Sequence, residues 1–243
     1  MNVYIITGTS KGIGFELAKQ LSGEGHFVIG IARTPSELNG VKFIRADLSE
    51  TEKLEALMDE IIALTPQDAV SFTLINNAGM VDPIGLVGNV QAEEMTKAIA
   101  VNLTAPMILS NSFISALKNF QGVKRIVNIS SGAGRNAYEG WGTYCTTKAG
   151  LDHFSRVVAL EQGNTEYPVR IVSMAPGIID TGMQEKIRGS KEEAFPLLER
   201  FIDYKEKGLL SSAEQTAGHL IAFMANEDFK TAGPIADLRD YGR

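Results

Sequence analysis

A short apolar run, Val3-Tyr4-Ile5-Ile6, leads directly into Thr7-Gly8-Thr9-Ser10-Lys11-Gly12-Ile13-Gly14, and an apolar stripe of Leu17, Ala18 and Leu21 follows at helical spacing. A buried strand, a glycine-rich turn and a helix in that order are the opening of a parallel α/β sheet. In that geometry backbone N–H groups and the positive end of a helix converge on one point, where a pyrophosphate can be held. Gly8, Ser10, Lys11, Gly12, Ile13 and Gly14 are the candidate contacts. The spacing is Gly-x3-Gly-x-Gly, which differs from the commoner Gly-x-Gly-x-x-Gly dinucleotide fingerprint.

The rest of the chain keeps the alternation going. Phe27–Ile31 reads as a second strand, Phe43–Leu48 as a third, Phe72–Ile75 as a fourth, Arg125–Ile129 as a fifth and Val169–Met174 as a sixth, with Pro234–Leu238 as the last. Helices are expected from Ser49 to Leu64, opened by an N-cap, from about Gln91 to Leu117, from Trp141 to Glu161 and from Ser211 to Ala225. Asn102 falls inside the second of these, amid Ile99, Val101 and Leu103, where an amide either caps a local kink or holds a water. No repeat or linker interrupts the pattern, so the expectation is one domain spanning 1–243, a doubly wound parallel sheet with helices on both faces. From Thr181 to Gly208 glycines and Pro196 break the chain into short amphipathic pieces, and 181–208 is read as a lid at the carboxyl end of the sheet.

Two strand ends carry information about a nucleotide. The second strand ends in Ala32-Arg33, where an NAD site usually has an acid for the ribose 2′-hydroxyl. A carboxylate there would repel a 2′-phosphate, whereas Arg33, together with Lys11, attracts one, which favours NADPH/NADP; the alternative is a solvent-facing Arg. Asn76-Asn77-Ala78-Gly79 at the end of the fourth strand suggests polar anchoring beside the same ligand, though a plain turn would read the same.

The chemistry points to Ser130-Ser131-Gly132 at the end of the fifth strand and to Tyr144-Cys145-Thr146-Thr147-Lys148 at the start of the next helix. Tyr144 and Lys148 are four apart, so one helical turn stacks them roughly 6 Å apart along the axis. A free phenol has a pKa of about 10. A neighbouring ammonium favours the phenolate and is expected to lower that value toward the range of efficient proton transfer. Ser131 can donate to the same substrate oxygen. Nothing in the set donates a hydride, so a bound cofactor has to.

Bulk properties narrow the classes further. A net charge of −6 without a basic run argues against nucleic acid, and no run of apolar residues approaches 18, so no membrane segment is expected. The single Cys145 rules out an intrachain disulfide and suits a reducing cytoplasm. His26, His153 and His219 are scattered, so no metal site is expected.

Taken together, Thr7-Gly8-x3-Gly12-Ile13-Gly14, Asn76-Asn77-Ala78-Gly79, Asn102, Ser131, Tyr144-x3-Lys148 and Pro176-Gly177 resemble the short-chain dehydrogenase/reductase family over the whole chain. The resemblance implies a catalytic tetrad of Asn102, Ser131, Tyr144 and Lys148, with Tyr144 the proton donor in carbonyl reduction. It implies that Lys148 holds the nicotinamide ribose and that Asn102 binds a water of a proton relay. It also implies Asp47 and Leu48 by the adenine, Asn77 by the ribose, Ile179 and Thr181 at the nicotinamide carboxamide, and Ala78, Gly79, Pro176 and Gly177 among the cofactor contacts. Gly140-Trp141-Gly142-Thr143-Tyr144 and Ala175-Pro176-Gly177-Ile178-Ile179-Asp180-Thr181-Gly182-Met183-Gln184 are similar to the sepiapterin-reductase-like branch, and the stretches around Ser131 and Asn102 to its bacterial benzil reductases. That branch implies NADPH-dependent reduction of one carbonyl of a vicinal diketone. An aryl substrate would suit a pocket lined by Trp141, Met183 and Phe195 or Leu198, the alternative for Trp141 being a core or interface aromatic. Asp237 loosely matches the acid that anchors a pterin. A pteridine or general ketone reductase is the alternative enzyme, and an NADPH-binding regulator the alternative of another class. The family's habit of pairing helices implies a homo-oligomer, dimer or tetramer.

Overall fold

Successive side chains of a strand point to opposite faces of its sheet, yet in β1 (Asn2–Thr7) both sets are buried. Val3 and Ile5 enter one hydrophobic core and Tyr4 and Ile6 another. A strand covered on both faces is the signature of a parallel sheet sandwiched between helices. The computed structural model describes residues 1–35, 37–226 and 228–241. After β1 the chain runs α1 (Gly12–Gly23), β2 (Phe27–Ala32), β3 (Val41–Arg45), α2 (Leu54–Ala63), β4 (Ser71–Asn76), α3 (Ala92–Ile99), α4 (Ala105–Ala116) and β5 (Val123–Ile129). It continues with α5 (Gly142–Gln162), β6 (Val169–Ala175), α6 (Gly182–Arg188), α7 (Leu198–Glu206), α8 (Ala213–Ala225), α9 (Asp228–Thr231) and β7 (Ile235–Asp237).

The seven strands lie in the order β3-β2-β1-β4-β5-β6-β7, every pair parallel. One core packs Ile29, Leu74, Ile126 and Ile171 of the sheet against Leu54, Met58 and Ile61 of α2, Leu109 and Phe113 of α4, and Val158 of α5. The opposite core packs Val28, Ile75, Val127, Val172 and Met174 against Leu17 and Leu21 of α1 and Leu220, Phe223 and Met224 of α8. The chain steps outward from β1 to β3 and then returns to place β4 on the other side of β1. The strand order therefore reverses between β1 and β4, where a crevice opens at the carboxyl ends of the strands.

Several boundaries differ from those expected, each for a local reason. The third strand ends at Arg45, not Leu48, because the Asp47 carboxylate accepts from the backbone N–H and the hydroxyl of Ser49, at 2.9 and 2.8 Å, and turns the chain out of the sheet. Ser49 therefore serves Asp47 and caps no helix; a 3₁₀ turn at Thr51–Lys53 precedes α2. The long helix expected from Gln91 is divided by a π-turn at Ala100–Thr104. Pro106 has no N–H to offer the carbonyl of Asn102 four residues back, and the helix widens there. Ser212 caps α8 through a reciprocal pair with Gln215, so the helix starts two residues later than expected, and α9 follows it.

Among the described residues, the continuous stretch Ala92–Ala116 is long and apolar enough to cross a membrane by composition, with a mean hydropathy of 1.3. Part of that apolarity is spent inside the protein, where Ala105, Leu109 and Phe113 are fully buried. No group of metal-ligating side chains occurs among the described residues.

Candidate active site

The turn between β1 and α1 is sewn to the end of β4. Thr7 Oγ1 accepts from the backbone N–H groups of Asn77 and Ala78, both at 3.0 Å, and Asn77 Nδ2 donates to the carbonyls of Thr7 and Gly8 at 2.9 and 3.3 Å. These contacts explain the glycines. Gly8 has φ +76, and a Cβ there would stand 2.9 Å from Ala78 Cα; a Cβ on Gly14 would stand 2.3 Å from Asn77 Nδ2. Only bare backbone lets the two strand ends close up beneath the free N–H groups that open α1. Asn77 was expected beside a ribose. It does line the cleft, but its amide braces the turn.

The cleft above this turn holds about 710 Å³, within the range of small-molecule sites. Gly8, Ser10, Lys11, Gly12 and Ile13 form one end of it, with Arg33, Asp47, Leu48, Asn77, Ala78 and Gly79 alongside. Arg33 is exposed at the end of β2. Hydrogen bonds from Ser49, its backbone N–H foremost, hold the Asp47 carboxyl below the ordinary carboxylate range. The Lys11 ammonium reaches the other way, to 3.5 Å from where a Cβ would sit on Gly182 of α6. Gly14 lies under the turn and does not reach the cleft.

The opposite wall carries Ser131, Tyr144 and Lys148, with Pro176, Gly177, Ile179 and Thr181 between it and the turn. Ser131 leaves β5 in an extended conformation, and its hydroxyl accepts from the Ala133 N–H at 3.2 Å. Lys148 Nζ donates to the carbonyl of Ile129 at 2.7 Å and stands 5.8 Å from the centre of the Tyr144 ring. Burial pushes Tyr144 up to about 12, against a hydrogen bond with Ser131 that pulls it down. Burial also pushes Lys148 down to about 8, opposed by the charge of Asp152. The expectation that Lys148 would lower the phenol is therefore reversed, because desolvation outweighs every other effect on that group. The result is a phenol that keeps its proton throughout the physiological range, beside an ammonium poised to titrate just above it.

Asn102 does not hold its side chain toward the cleft. Its Oδ1 accepts from the Met80 N–H at 2.9 Å, its Nδ2 donates to the Met80 carbonyl at 2.7 Å, and a longer contact of 3.4 Å reaches Thr147 Oγ1. The helix is indeed widened at Asn102, and the amide is spent on the backbone of Met80. It clamps the segment after β4 against α5, so that Gly79 passes close to Lys148.

Aromatic rings finish the far end. Trp141 is buried, stacked on Phe195 at 4.8 Å and edge-on to Phe201 at 5.1 Å and Tyr144 at 5.4 Å. Trp141 and Met183 line the cleft as expected, whereas Phe195 is fully buried behind Trp141, and Phe201 and Tyr204 of α7 take its place on the wall. Phe201 and Tyr204 are three apart on an amphipathic helix, a spacing that marked one face but not what it would meet. Asp237 also lines the cleft, but Arg239 holds it bidentately at 2.8 and 2.7 Å, so it is not the free anchoring acid expected. Thr181 to Gly208 arches over the site as α6 and α7, its two ends joined by bridging between Ile179 and Ser211. Lys186 of α6 pairs with Asp82 on the opposite rim.

Residues 2–192 match the short chain dehydrogenase family. The chain is 43% identical to a benzil reductase ((S)-benzoin forming) of Bacillus cereus, over 94% of this chain and 96% of that protein. It is 39% identical to the enzyme of the same name from Bacillus subtilis, over 99% and 100%. A sepiapterin reductase of Xenopus laevis is more distant, at 30% over 95% and 93%. In structure, the chain superposes on a short-chain dehydrogenase/reductase of Saccharomyces cerevisiae with a TM-score of 0.85 and 24% identity, over 100% of both chains.

Proposed function

This chain belongs to the short-chain dehydrogenase family and is an oxidoreductase of carbonyl and alcohol groups, and from that premise we propose that it reduces one carbonyl of a vicinal diketone such as benzil, using NADPH. The observation that carries this reading is the pairing of two walls across one cleft. One wall is a glycine turn at a helix N-terminus, and the other is a buried phenol with Ser131 and Lys148 beside it.

The residues present fit a dinucleotide. The close-packed glycines leave an open cradle of N–H groups at Gly12 and Ile13 for a pyrophosphate. Among the residues lining the cleft, Arg33 would meet a 2′-phosphate, Asp47 and Leu48 the adenine, Lys148 the second ribose, and Ile179 and Thr181 the carboxamide. When bound, the reduced nicotinamide supplies the hydride, which no side chain of the protein can.

The protein's own part is proton delivery and orientation. Ser131 and the Tyr144 hydroxyl share the substrate oxygen, and Tyr144 gives up its proton as charge develops there. A phenol pushed up to about 12 is a weak acid. The charged Lys148 beside it stabilises the phenolate that forms and so favours the transfer. Trp141, Phe201 and Tyr204 offer aromatic surface for an aryl substituent. The pterin alternative loses its anchor, because Asp237 is already neutralised by Arg239.

The test is cofactor oxidation across benzil, other diketones, simple ketones, quinones and sepiapterin, each with NADPH and NADH. The highest kcat/KM should fall to an aryl diketone with NADPH. A clear preference for sepiapterin would move the protein to the pteridine reductases, and cofactor binding without oxidation of any carbonyl would make it a regulator.

A further inference from the structure

The face of α5 that carries Tyr144 and Lys148 bears a third polar group one turn further on, Asp152, whose carboxyl is only 2% exposed. A buried carboxylate needs partners, and this one has two from outside its own helix. Ser173 of β6 donates to Oδ1 at 2.6 Å. Arg135, which follows the turn after Ser131, sets its Nε 3.5 Å from Oδ2. Arg135 in turn donates to the Ala236 carbonyl of β7 at 2.7 Å and lies 3.9 Å from Asp237, which Arg239 holds. Glycine is required where this chain of charges passes α5: a Cβ on Gly134 would stand 2.9 Å from the Lys148 carbonyl oxygen and 3.0 Å from Asp152 Oδ2.

We propose that Asp152 is a positioning residue for Lys148: its buried negative charge keeps the lysine protonated in the cleft, and Arg135, sharing the same carboxylate, limits how strongly it does so. Lys148 is 5% exposed. An ammonium so desolvated is held charged by what faces it. It donates to the Ile129 carbonyl at the end of β5; on α5, Tyr144 and Asp152 stand one helical turn to either side of it, and the charge of Asp152 opposes the desolvation. Asp152 is the single anion in that set. Arg135, Asp237 and Arg239 complete the surroundings from the β5 and β7 side, and they connect the lysine's counter-charge to the wall of the substrate cleft. The inference rests on the reductase reading for the lysine's role in turnover, but the coupling of the two charges is independent of it.

Two charge-removing changes test it in opposite directions. Asp152→Asn keeps an acceptor for Ser173 and removes the charge. Arg135→Gln removes the competing cation. The Lys148 titration is followed by NMR of ε-¹³C-lysine protein, assigned with Lys148→Arg, and the kcat–pH profile is measured alongside. Asp152→Asn should move the Lys148 titration and the alkaline limb of kcat about one pH unit or more toward acid, and Arg135→Gln should move both toward alkali. A merely structural role would reduce kcat without moving either. An unmoved Lys148 resonance in Asp152→Asn overturns the proposal. Should that variant fail to fold, the absence of an alkaline shift in Arg135→Gln overturns it instead. Opposite NMR shifts in a protein that oxidises NADPH with no carbonyl would uphold the charge coupling while removing the reductase reading.

Discussion

Tyr144 and Arg33 are single residues whose replacement separates chemistry from binding. Tyr144→Phe deletes one hydroxyl from a buried ring that also packs on Trp141, so the fold and the nucleotide cradle should persist. A loss of about 10²–10⁴-fold in kcat is expected for removing a positioned proton donor, with cofactor affinity, read by fluorescence titration, little changed. Near-native kcat would end the donor role. Arg33 is exposed, so its replacement carries no packing cost. Arg33→Asp should weaken NADPH at least tenfold while sparing or improving NADH, because a carboxylate there repels a 2′-phosphate and accepts from a 2′-hydroxyl. Comparable kcat/KM for NADPH in both proteins would remove Arg33 from the site. Both positions were legible because they are set locally: a strand end, and one turn of a helix. Asp237 was not. Its partner Arg239 is two residues away, but only the 3₁₀ turn after β7 brings the guanidinium back onto the carboxylate.

At the scale of elements, the turn between β1 and α1 owes its shape to β4. Gly14→Ala would place a methyl 2.3 Å from Asn77 Nδ2 and 2.4 Å from the Gly8 carbonyl, inside the helix's first turn. Neither neighbour can retreat without breaking the hydrogen bonds that join the strand ends. A loss of roughly 1–3 kcal/mol is expected, the usual cost of overpacking, measured by urea denaturation, and cofactor affinity should fall with it. Unchanged stability would show that the strand ends are less tightly coupled than their contacts imply. The glycine spacing was visible in the sequence; its cause was not, since Asn77 lies about sixty residues downstream. The π-turn is similar. Pro106 and Asn102 both stand in plain sight, but the divided helix makes sense only once Asn102 is seen holding both backbone groups of Met80.

For the whole molecule, α4 and α5 leave apolar side chains outside: Met107 and Val157 are partly exposed, and Leu160 is 74% exposed. We propose that these helices join copies of the chain. Light scattering should find an oligomer that Val157→Glu with Leu160→Glu reduces to a monomer, whereas a monomeric parent protein would refute the interface. The fold itself was open to reading from one dimension. Two-sided apolar strands, helices at 3.6-residue spacing and a glycine turn at residue 8 are local patterns, and a doubly wound parallel sheet is the arrangement that buries them all. Ser131, Tyr144 and Lys148 were equally open, because a strand end and one helical turn place them without help from the rest. What tertiary structure alone decided is electrostatic and steric environment: a phenol raised by burial when its neighbour argued for lowering it, Phe195 hidden behind Trp141, and an acid behind Lys148 held by Ser173 and Arg135. Spacing along a chain can say which groups share a face, but desolvation and ion pairing depend on what covers that face, and the covering comes from segments far away in sequence.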